Sequence, residues 1–113
     1  MARSFAARLK ALTGTGPERC RVFVNDDVVT LVCDRTLTPA EKTLATGEPA
    51  VVSELRGKLQ EQVRSQFIPD VERITRQRVV AAMSSHSLQP DTASFVFILE
   101  GPASNGRPLV GEA

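Results

Sequence analysis

His86, the only histidine of the chain, lies in the one stretch whose residue types could support nucleophilic chemistry. Three serines lie within two positions of it, and Asp91 follows five residues later. A serine activated by a histidine also needs a firmly oriented base and an oxyanion hole. We predict that residues 85–90 form a loop between two strands, which by itself supplies neither. The sequence therefore favours a solvated or partner-contacting His86, and we predict that the protein is not an enzyme.

Asp26 and Asp27 are an adjacent pair of carboxylates that could contribute to a cation site. A divalent cation such as Ca²⁺ takes about six or more oxygen ligands, so two carboxylates are too few. Aspartate is also favoured in turns, because its side chain bonds to nearby backbone groups. We interpret the pair as the turn of a β-hairpin and predict no metal and no cofactor.

Cys20 and Cys33 are the only cysteines. If the two aspartates form a hairpin turn, the cysteines lie directly opposite each other on neighbouring strands, where a disulfide is geometrically conceivable. Two cysteines and one distant histidine do not form a zinc pattern. In a reducing cytosol, the pattern favours two buried thiols that act as small hydrophobic side chains. A redox pair or a metal site is the alternative.

Three arginines, Arg73, Arg76 and Arg78, lie close together where a long predicted helix ends. Cations complement the negative C-terminus of a helix, which is the structural interpretation. Arginine is also the preferred ligand of phosphate. The alternative function is therefore a small module that binds nucleic acid or a phosphate ligand, with Arg21 or Arg35 added to the cluster. A net charge of +1 and the absence of Trp and Tyr make nucleic acid an unfavoured partner.

A helical segment that begins at Thr38 organises the rest of the chain. Thr38 and Glu41 have the spacing of a capping box, with Pro39 at the first helical position. A glycine and a proline interrupt this first helix after residue 46. Beyond them, apolar residues recur every three or four positions and predict one buried stripe. The stripe comprises Val52, Leu55, Leu59, Val63, Phe67, Val71 and Ile74. The stripe continues in the same phase on both sides of Pro69, so we predict a kink at this proline rather than a break in the helix.

Two predicted hairpins flank this helical segment. In the first, residues 19–35, Val24 lies opposite Val29 and one face is entirely apolar. Residues 78–84 and 93–100 have the composition of a third and a fourth strand. The order α–ββ–α–ββ predicts an α+β fold: a two-layer sandwich in which a four-stranded antiparallel sheet packs on a long helix.

The fourth strand is apolar on both faces, and strands of this kind are usually covered on both sides. One face carries Phe95, Phe97 and Leu99, and the other carries Val96 and Ile98. The long helix covers one face. We expect either a short amphipathic helix, residues 4–12, or a second subunit to cover the other, and we predict a homodimer. A membrane surface is the alternative site for the short helix, because its polar side is basic.

A single domain is expected over residues 1–100, followed by a disordered tail over residues 101–113 that is rich in proline, glycine and small polar residues. The first 16 residues contain no sustained apolar run and do not predict a secretory signal. No segment has the length and hydropathy of a transmembrane helix. We therefore predict a cytoplasmic location.

Several motifs occur in a characteristic order. They are Gly14-x-Gly16-Pro17, Asp26-Asp27-Val28-Val29, Leu37-Thr38-Pro39-Ala40-Glu41-Lys42, Val71-Glu72-x-Ile74-Thr75 and Phe95-Val96-Phe97-Ile98-Leu99-Glu100. Taken together, they resemble the MpsC family of small bacterial proteins over nearly all of residues 5–100. Arg76-Gln77-Arg78 stands where that family usually shows Gly-Arg-Lys, so we expect the end of the helix to be built differently.

The resemblance implies an association with a Na⁺-translocating, membrane-potential-generating system, and it carries no catalytic residue over to this chain. Together with the absence of a catalytic grouping and the fourth strand that is apolar on both faces, it predicts a non-enzymatic accessory or regulatory protein, a soluble partner of a membrane protein that translocates Na⁺ or another ion. We expect the interaction surface to comprise Asp26, Asp27, Thr38, Glu41 and Lys42.

Overall fold

Two β-hairpins and three helices make up the computed structural model, which describes residues 2–13 and 16–103. In chain order the elements are α1 (Ala2–Thr13), β1 (Arg19–Asn25), β2 (Val28–Asp34), α2 (Pro39–Gly47), α3 (Pro49–Thr75), β3 (Val79–Ser87) and β4 (Thr92–Leu99). The four strands form one antiparallel sheet in the order β1-β2-β4-β3, and α3 packs against it. The predicted α+β fold is confirmed.

The β1–β2 hairpin has the predicted register. Val24 pairs with Val29 and Cys20 pairs with Cys33 across a two-residue turn. Asp26 occupies the left-handed region of the backbone, with φ 57°. Aspartate tolerates this region better than most residues, because its short polar side chain can bond to the local backbone. The Asp-Asp turn therefore closes the hairpin without a glycine.

Cys20 and Cys33 are joined by a disulfide, and their Cα atoms lie 4.2 Å apart. The expectation of two free thiols is therefore wrong in this structure. The physical reason is the register: at a non-hydrogen-bonded antiparallel pair, the Cα atoms approach to about 4.5 Å and both side chains leave the same face. The disulfide is buried, because the sheet face that carries it forms the core.

The hydrophobic core lies on one face of the sheet. Phe95, Phe97 and Leu31 are buried there, and α3 contributes Phe67. Phe67 makes edge-to-face contacts with Phe95 on the sheet and with Phe5 on α1, at ring-centroid distances of 5.1 and 4.9 Å. Such aromatic pairs add about 0.5–1.5 kcal/mol beyond the area that they bury. These contacts hold α1, α3 and the sheet together around one ring.

An ion pair also fixes α1 to α3. Arg8 donates two hydrogen bonds to the buried Asp70, from Nε at 2.5 Å and from Nη2 at 2.9 Å. The hydrogen bond to Asp70 and its negative charge raise the pKa of Arg8 above its ordinary value. Because Phe5 and Leu9 are buried in the same core, the apolar side of α1 is used within the fold and packs on the face that α3 covers.

Helix α3 is continuous through Pro69, as predicted. Its buried stripe agrees with the prediction at Val52, which is buried, and differs from it over the next two turns. Leu55 is 44% exposed, whereas Arg56 and Gln60 are 4% exposed. At this end the helix therefore turns Gln60 toward β3 and Arg56 toward the start of α2, and further on it turns an apolar strip toward the sheet, where Phe67 is buried. A prediction that places only apolar residues in the interior cannot identify Arg56 and Gln60 as buried.

Arg76 ends α3 in the left-handed conformation that a glycine usually takes, with φ 59°. Its backbone N–H donates to the carbonyl of Glu72 at 2.8 Å, which satisfies one free carbonyl of the last turn. The carboxylate of Glu72 in turn accepts the N–H of Val79 at the start of β3, also at 2.8 Å. The helix end is thus built with an arginine, which carries a backbone cost that glycine would not.

The last described residues also belong to the folded domain. Ala103 is 5% exposed, and its N–H donates to the carbonyl of Asp26 at 3.0 Å. Gly101 to Ala103 therefore extend the domain beyond the predicted boundary at residue 100. The rest of the predicted tail, residues 104–113, lies outside the described residues.

Replacing Arg76 by glycine is expected to raise the free energy of unfolding by about 0.5 kcal/mol. A residue other than glycine costs about 1–2 kcal/mol in the left-handed region. Part of that gain is offset by the greater flexibility of glycine in the unfolded chain, about 0.5–1 kcal/mol. Urea denaturation would measure the difference between Arg76→Gly and the wild type.

Arg73→Gly is the matched control, because it removes the same charge three residues earlier within α3. Glycine inside a helix costs about 1 kcal/mol, so this variant is expected to be less stable than the wild type. Destabilisation of both variants would show that the left-handed conformation at Arg76 carries no cost that glycine can relieve.

Candidate functional site

The face of the sheet opposite the core is not covered by any described helix. A row of side chains crosses this face on all four strands: Phe23 on β1 pairs with Thr30, Thr30 with Val96, and Val96 with Met83 on β3. Further apolar residues surround the row, namely Val28, Val32, Ala81 and Ile98. Met83 is 50% exposed. We call this surface the open face.

The rim of the open face carries both signs of charge. Arg21 donates to Asp34 at 3.3 Å across β1 and β2, and both side chains are about one-third exposed. Toward β3 the face ends in the exposed Val80, at an irregularity between Val79 and Ala81. The open face therefore carries apolar side chains around the uncharged Thr30, with one ion pair at one corner.

Strand β3 is one of the two edges of the sheet. Its sequence, Val79–Ser87, contains no lysine, arginine, acidic residue or proline, the residues that commonly protect such an edge. The N–H of Glu100 donates to the carbonyl of Arg78, so the even-numbered residues of β4 bond toward β3. Their partners in β3 are odd-numbered, and the peptide groups of Ala82, Ser84 and His86 therefore point away from the sheet.

His86 lies within β3 and faces α3, so its predicted position in a loop is wrong. The strand pairs as far as Ser87 with Thr92, which leaves only a short connection to β4. The Nε2 atom of His86 lies 2.9 Å from Ser53 Oγ, and its Nδ1 atom lies 2.9 Å from Gln60 Oε1. His86 is thus held between two side chains of α3 rather than solvated.

The hydrogen bonds of Gln60 determine which atoms donate and which accept between Gln60, His86 and Ser53. Gln60 Nε2 donates to the carbonyl of Ser85 at 2.7 Å, so its Oε1 must accept from His86 Nδ1. In the neutral imidazole the other nitrogen, Nε2, then accepts from the hydroxyl of Ser53. Asp91 takes no part, so the Ser/His/Asp grouping is not formed. His86 instead joins β3 to α3.

A groove of about 640 Å³ follows the free edge of β3 along α3. Its strand side is formed by Ser84, Ser85 and His86. Its helix side is formed by Ser53, Glu54, Gly57, Lys58, Gln60, Glu61 and Arg64. Arg64 crosses it and donates to Ser84 Oγ at 3.0 Å. Of these helix residues, Ser53, Gly57, Gln60 and Arg64 recur every three or four positions, and this polar stripe is the sequence signal that could have indicated the groove.

Asp91 organises a second polar cluster, between the end of β2 and the start of α2. One of its carboxylate oxygens accepts the backbone N–H of Thr36 at 3.0 Å, and the other accepts that of Leu37 at 3.0 Å. The hydroxyl of Thr36 donates to it as well, at 3.2 Å. Asp91 therefore holds the turn that leads from the sheet into the helices.

Glu41 and Arg56 form a buried ion pair beside this turn, with 3.0 Å between Arg56 Nη2 and Glu41 Oε1. Arg56 also donates to the carbonyl of Thr36, and Glu41 completes the predicted capping box with Thr38. Glu41 Oε2 and Arg56 Nε are buried without a hydrogen-bond partner in the described part of the chain. The pair stabilises the start of α2 from the inside.

The residues predicted to form an interaction surface do not lie together. Thr38 and the exposed Lys42 are at the start of α2, and Glu41 between them is 7% exposed and belongs to the interior. Asp26 and Asp27 lie at the other end of β2, about 20 Å away for a seven-residue strand. Lys42 lines a cavity of about 450 Å³ that Asp91 also borders.

The predicted anion-binding arginines are exposed near the end of α3. Arg73 lies 3.6 Å from Asp70 in an ion pair, and Arg76 forms the helix end described above. The two arginines considered as additions are engaged elsewhere: Arg21 with Asp34, and Arg35 with Glu18 at 2.8 Å. Their partners place them at the opposite end of the sheet from Arg78, which precedes β3.

Within residues 2–13 and 16–103, no three His, Cys, Asp or Glu side chains form a group that could hold a metal ion. The helices of the same residues include none with the length and hydropathy needed to cross a bilayer. Neither finding concerns the residues outside these ranges.

Residues 1–101 match the family model described as MpsC, Na⁺-translocating membrane potential-generating system. The chain belongs to the MpsC family. This match covers all four strands and all three helices, so the family resemblance extends over the whole described fold. Comparison with curated proteins and with solved structures finds no match. The MpsC description links the family to a membrane system, and it names no residue of the open face or the groove.

Arg56→Met is expected to lower the free energy of unfolding by about 3 kcal/mol, because it leaves the carboxylate of Glu41 buried without its partner. The double variant Glu41→Gln with Arg56→Met removes that charge, and a glutamine can still complete the capping box. It is expected to recover about 1–2 kcal/mol of the loss. Urea denaturation of the three proteins measures both steps, and a double variant no more stable than Arg56→Met would contradict this account.

Proposed function

We propose that this MpsC-family protein is a non-enzymatic accessory or regulatory protein that acts as a homodimer in the cytoplasm, as a soluble partner of a membrane Na⁺-translocating system. The observation that carries the proposal is the open face, an apolar surface that crosses all four strands without a helix over it. Large exposed apolar patches of this kind mark interaction sites. The family description supplies the association with Na⁺ translocation.

A second copy of the chain is the occupant that suits the open face. Four strands about 4.8 Å apart and seven residues long span about 19 Å by 23 Å, or roughly 440 Å² of projected area. Two such faces give about 900 Å², and the accessible area of side chains exceeds the projected area. A face-to-face pair therefore approaches the roughly 1,200 Å² at which specific interfaces begin.

The chemistry of the face also favours self-association. Its apolar side chains surround the uncharged Thr30, and sheets with such faces pack face to face about 10 Å apart. Its rim carries Arg21 and Asp34, so a two-fold axis can bring the arginine of one copy toward the aspartate of the other. Uncharged side chains such as Thr30 and Val96 lie in the middle, where a partner would exclude water.

Thr30→Lys is expected to weaken dimerisation about 100-fold, because it places two like charges together at the centre of the interface. Thr30 is already polar and only partly buried, so the fold tolerates the change. Sedimentation velocity over a concentration series would measure the effect. Met83→Lys, at the exposed end of the same row, is expected to act in the same direction.

Leu55→Lys is the control, because Leu55 is 44% exposed on α3, comparable to Met83 at 50%, but lies away from the open face. This variant should dimerise like the wild type. A wild-type protein that is monomeric at high micromolar concentration, or a Leu55→Lys variant that is impaired as strongly as Thr30→Lys, would rule out a dimer through the open face.

The accessory role predicts a physiological effect. Deleting the gene in its native cells should lower the Na⁺-dependent part of the membrane potential, measured with a potentiometric dye in media with and without Na⁺. The wild type and Leu55→Lys should restore it, and Thr30→Lys should not. An unchanged potential in the deletion strain would separate this chain from the system that names its family.

A further inference from the structure

We infer that the free edge of β3 and the groove along α3 form a binding site for an extended peptide segment of another protein, which pairs with β3 as a fifth strand. The site lies on a different surface from the open face, so it does not depend on the proposed dimer. Strand addition of this kind obtains affinity from main-chain hydrogen bonds and specificity from alternate side chains.

The backbone of β3 offers the hydrogen bonds that such a peptide needs. The N–H and C=O groups of Ala82, Ser84 and His86 point away from β4, and no described residue bonds to them. The start of the strand is closed, because Glu72 accepts the N–H of Val79. The open length therefore runs over the five residues from Ala82 to His86, enough for a peptide segment of about five residues.

The position of α3 gives the site a wall. Helix α3 contacts β3 far more than β4, so it lies above the edge of the sheet and borders the space that an added strand would enter. The side chains of an added strand alternate between the helix side and the open-face side. Those on the helix side would meet Lys58 and Arg64 together with Glu54 and Glu61. This wall suits a peptide with polar or charged residues at alternate positions.

Gly57 leaves space at the centre of this wall. A Cβ atom built on Gly57 meets nothing within 4 Å, so the packing of the described chain does not require a glycine there. Glycine in the interior of a helix is nevertheless unfavourable compared with alanine. The open space at Gly57 leaves room for a second backbone to approach α3, which is one of the uses of glycine in proteins.

A second copy of the chain cannot occupy this edge in the same way. Paired β3 strands would lie about 4.8 Å apart, whereas two packed helices need about 8–10 Å between their axes. Because α3 lies above β3, symmetric pairing would bring two α3 helices too close together. A single extended segment has no helix of its own and fits. The occupant is therefore a peptide strand and not another sheet of this protein.

The test uses ten-residue peptides displayed on phage as the probe, selected on the full-length protein. The tightest peptide is synthesised in two forms that are N-methylated at alternate residues. In strand addition only one set of amides faces β3, so one form should bind about 100-fold more weakly and the other within about threefold of the parent peptide. Equal effects of the two forms would overturn the proposal, as would a selection that returns no binding peptide.

Hydrogen exchange gives the second readout. The amides of Ala82, Ser84 and His86 should exchange rapidly in the free protein and at least about tenfold more slowly with the peptide bound, because they gain a strand partner. Met83 and Ser85 already bond to β4 and should change little. Protection that falls elsewhere on the molecule would overturn the assignment of the site.

Gly57→Leu is the blocking variant, and Gly47→Leu is its matched control. Neither glycine has an atom within 4 Å of a built Cβ, so both substitutions fit the fold, and Gly57→Leu should raise the melting temperature. Gly57→Leu should lose peptide binding, and Gly47→Leu, at the end of α2, should retain it. Unchanged binding by Gly57→Leu would overturn the proposal.

The dimer and the peptide site are separated by Thr30→Lys. That variant should bind the selected peptide as the wild type does, whatever its oligomeric state. Loss of peptide binding in Thr30→Lys would place the peptide on the open face and overturn the assignment to β3.

Discussion

The hydrophobic core lies on only one face of the sheet, and the rest of the structure depends on this constraint. Phe67 packs against both Phe5 and Phe95, so α1, α3 and the sheet share a single layer of apolar contacts. The ion pair between Arg8 and Asp70 holds the two helices in this arrangement. Because both helices occupy one face, the other face and the β3 edge are left uncovered by the described helices.

Local patterns predicted the parts of the fold that local physics determines. The register of β1 and β2 followed from alternation, because a shift of one residue would turn the core residues outward. The capping box at Thr38 and Glu41 followed from spacing alone. The spacing of residues in the sequence could not predict which polar side chains are buried. Arg56 is buried because it pairs with Glu41 and donates to the carbonyl of Thr36, and both partners are far from it in the sequence.

His86 shows the same limit for the candidate site. Its serine-rich surroundings indicated a loop, but pairing with β4 extends β3 through it. The partners that orient it, Ser53 and Gln60, are 33 and 26 residues away in the sequence. The disulfide differs in kind: the register already placed Cys20 and Cys33 opposite each other, and the expectation of two thiols rested on the redox state of the surroundings rather than on geometry.

Because Cys20 and Cys33 form a disulfide, the stability of the fold depends on the oxidation state of its surroundings. The bond joins two cysteines that are 13 positions apart. A closed loop of this size lowers the conformational entropy of the unfolded chain, which stabilises the folded state by about 3 kcal/mol. An oxidised chain that unfolds keeps Cys20 and Cys33 joined, whereas a reduced chain must bring these two residues together again. Because these two strands carry half of the open face, reduction of the disulfide would alter that face through the stability of one hairpin.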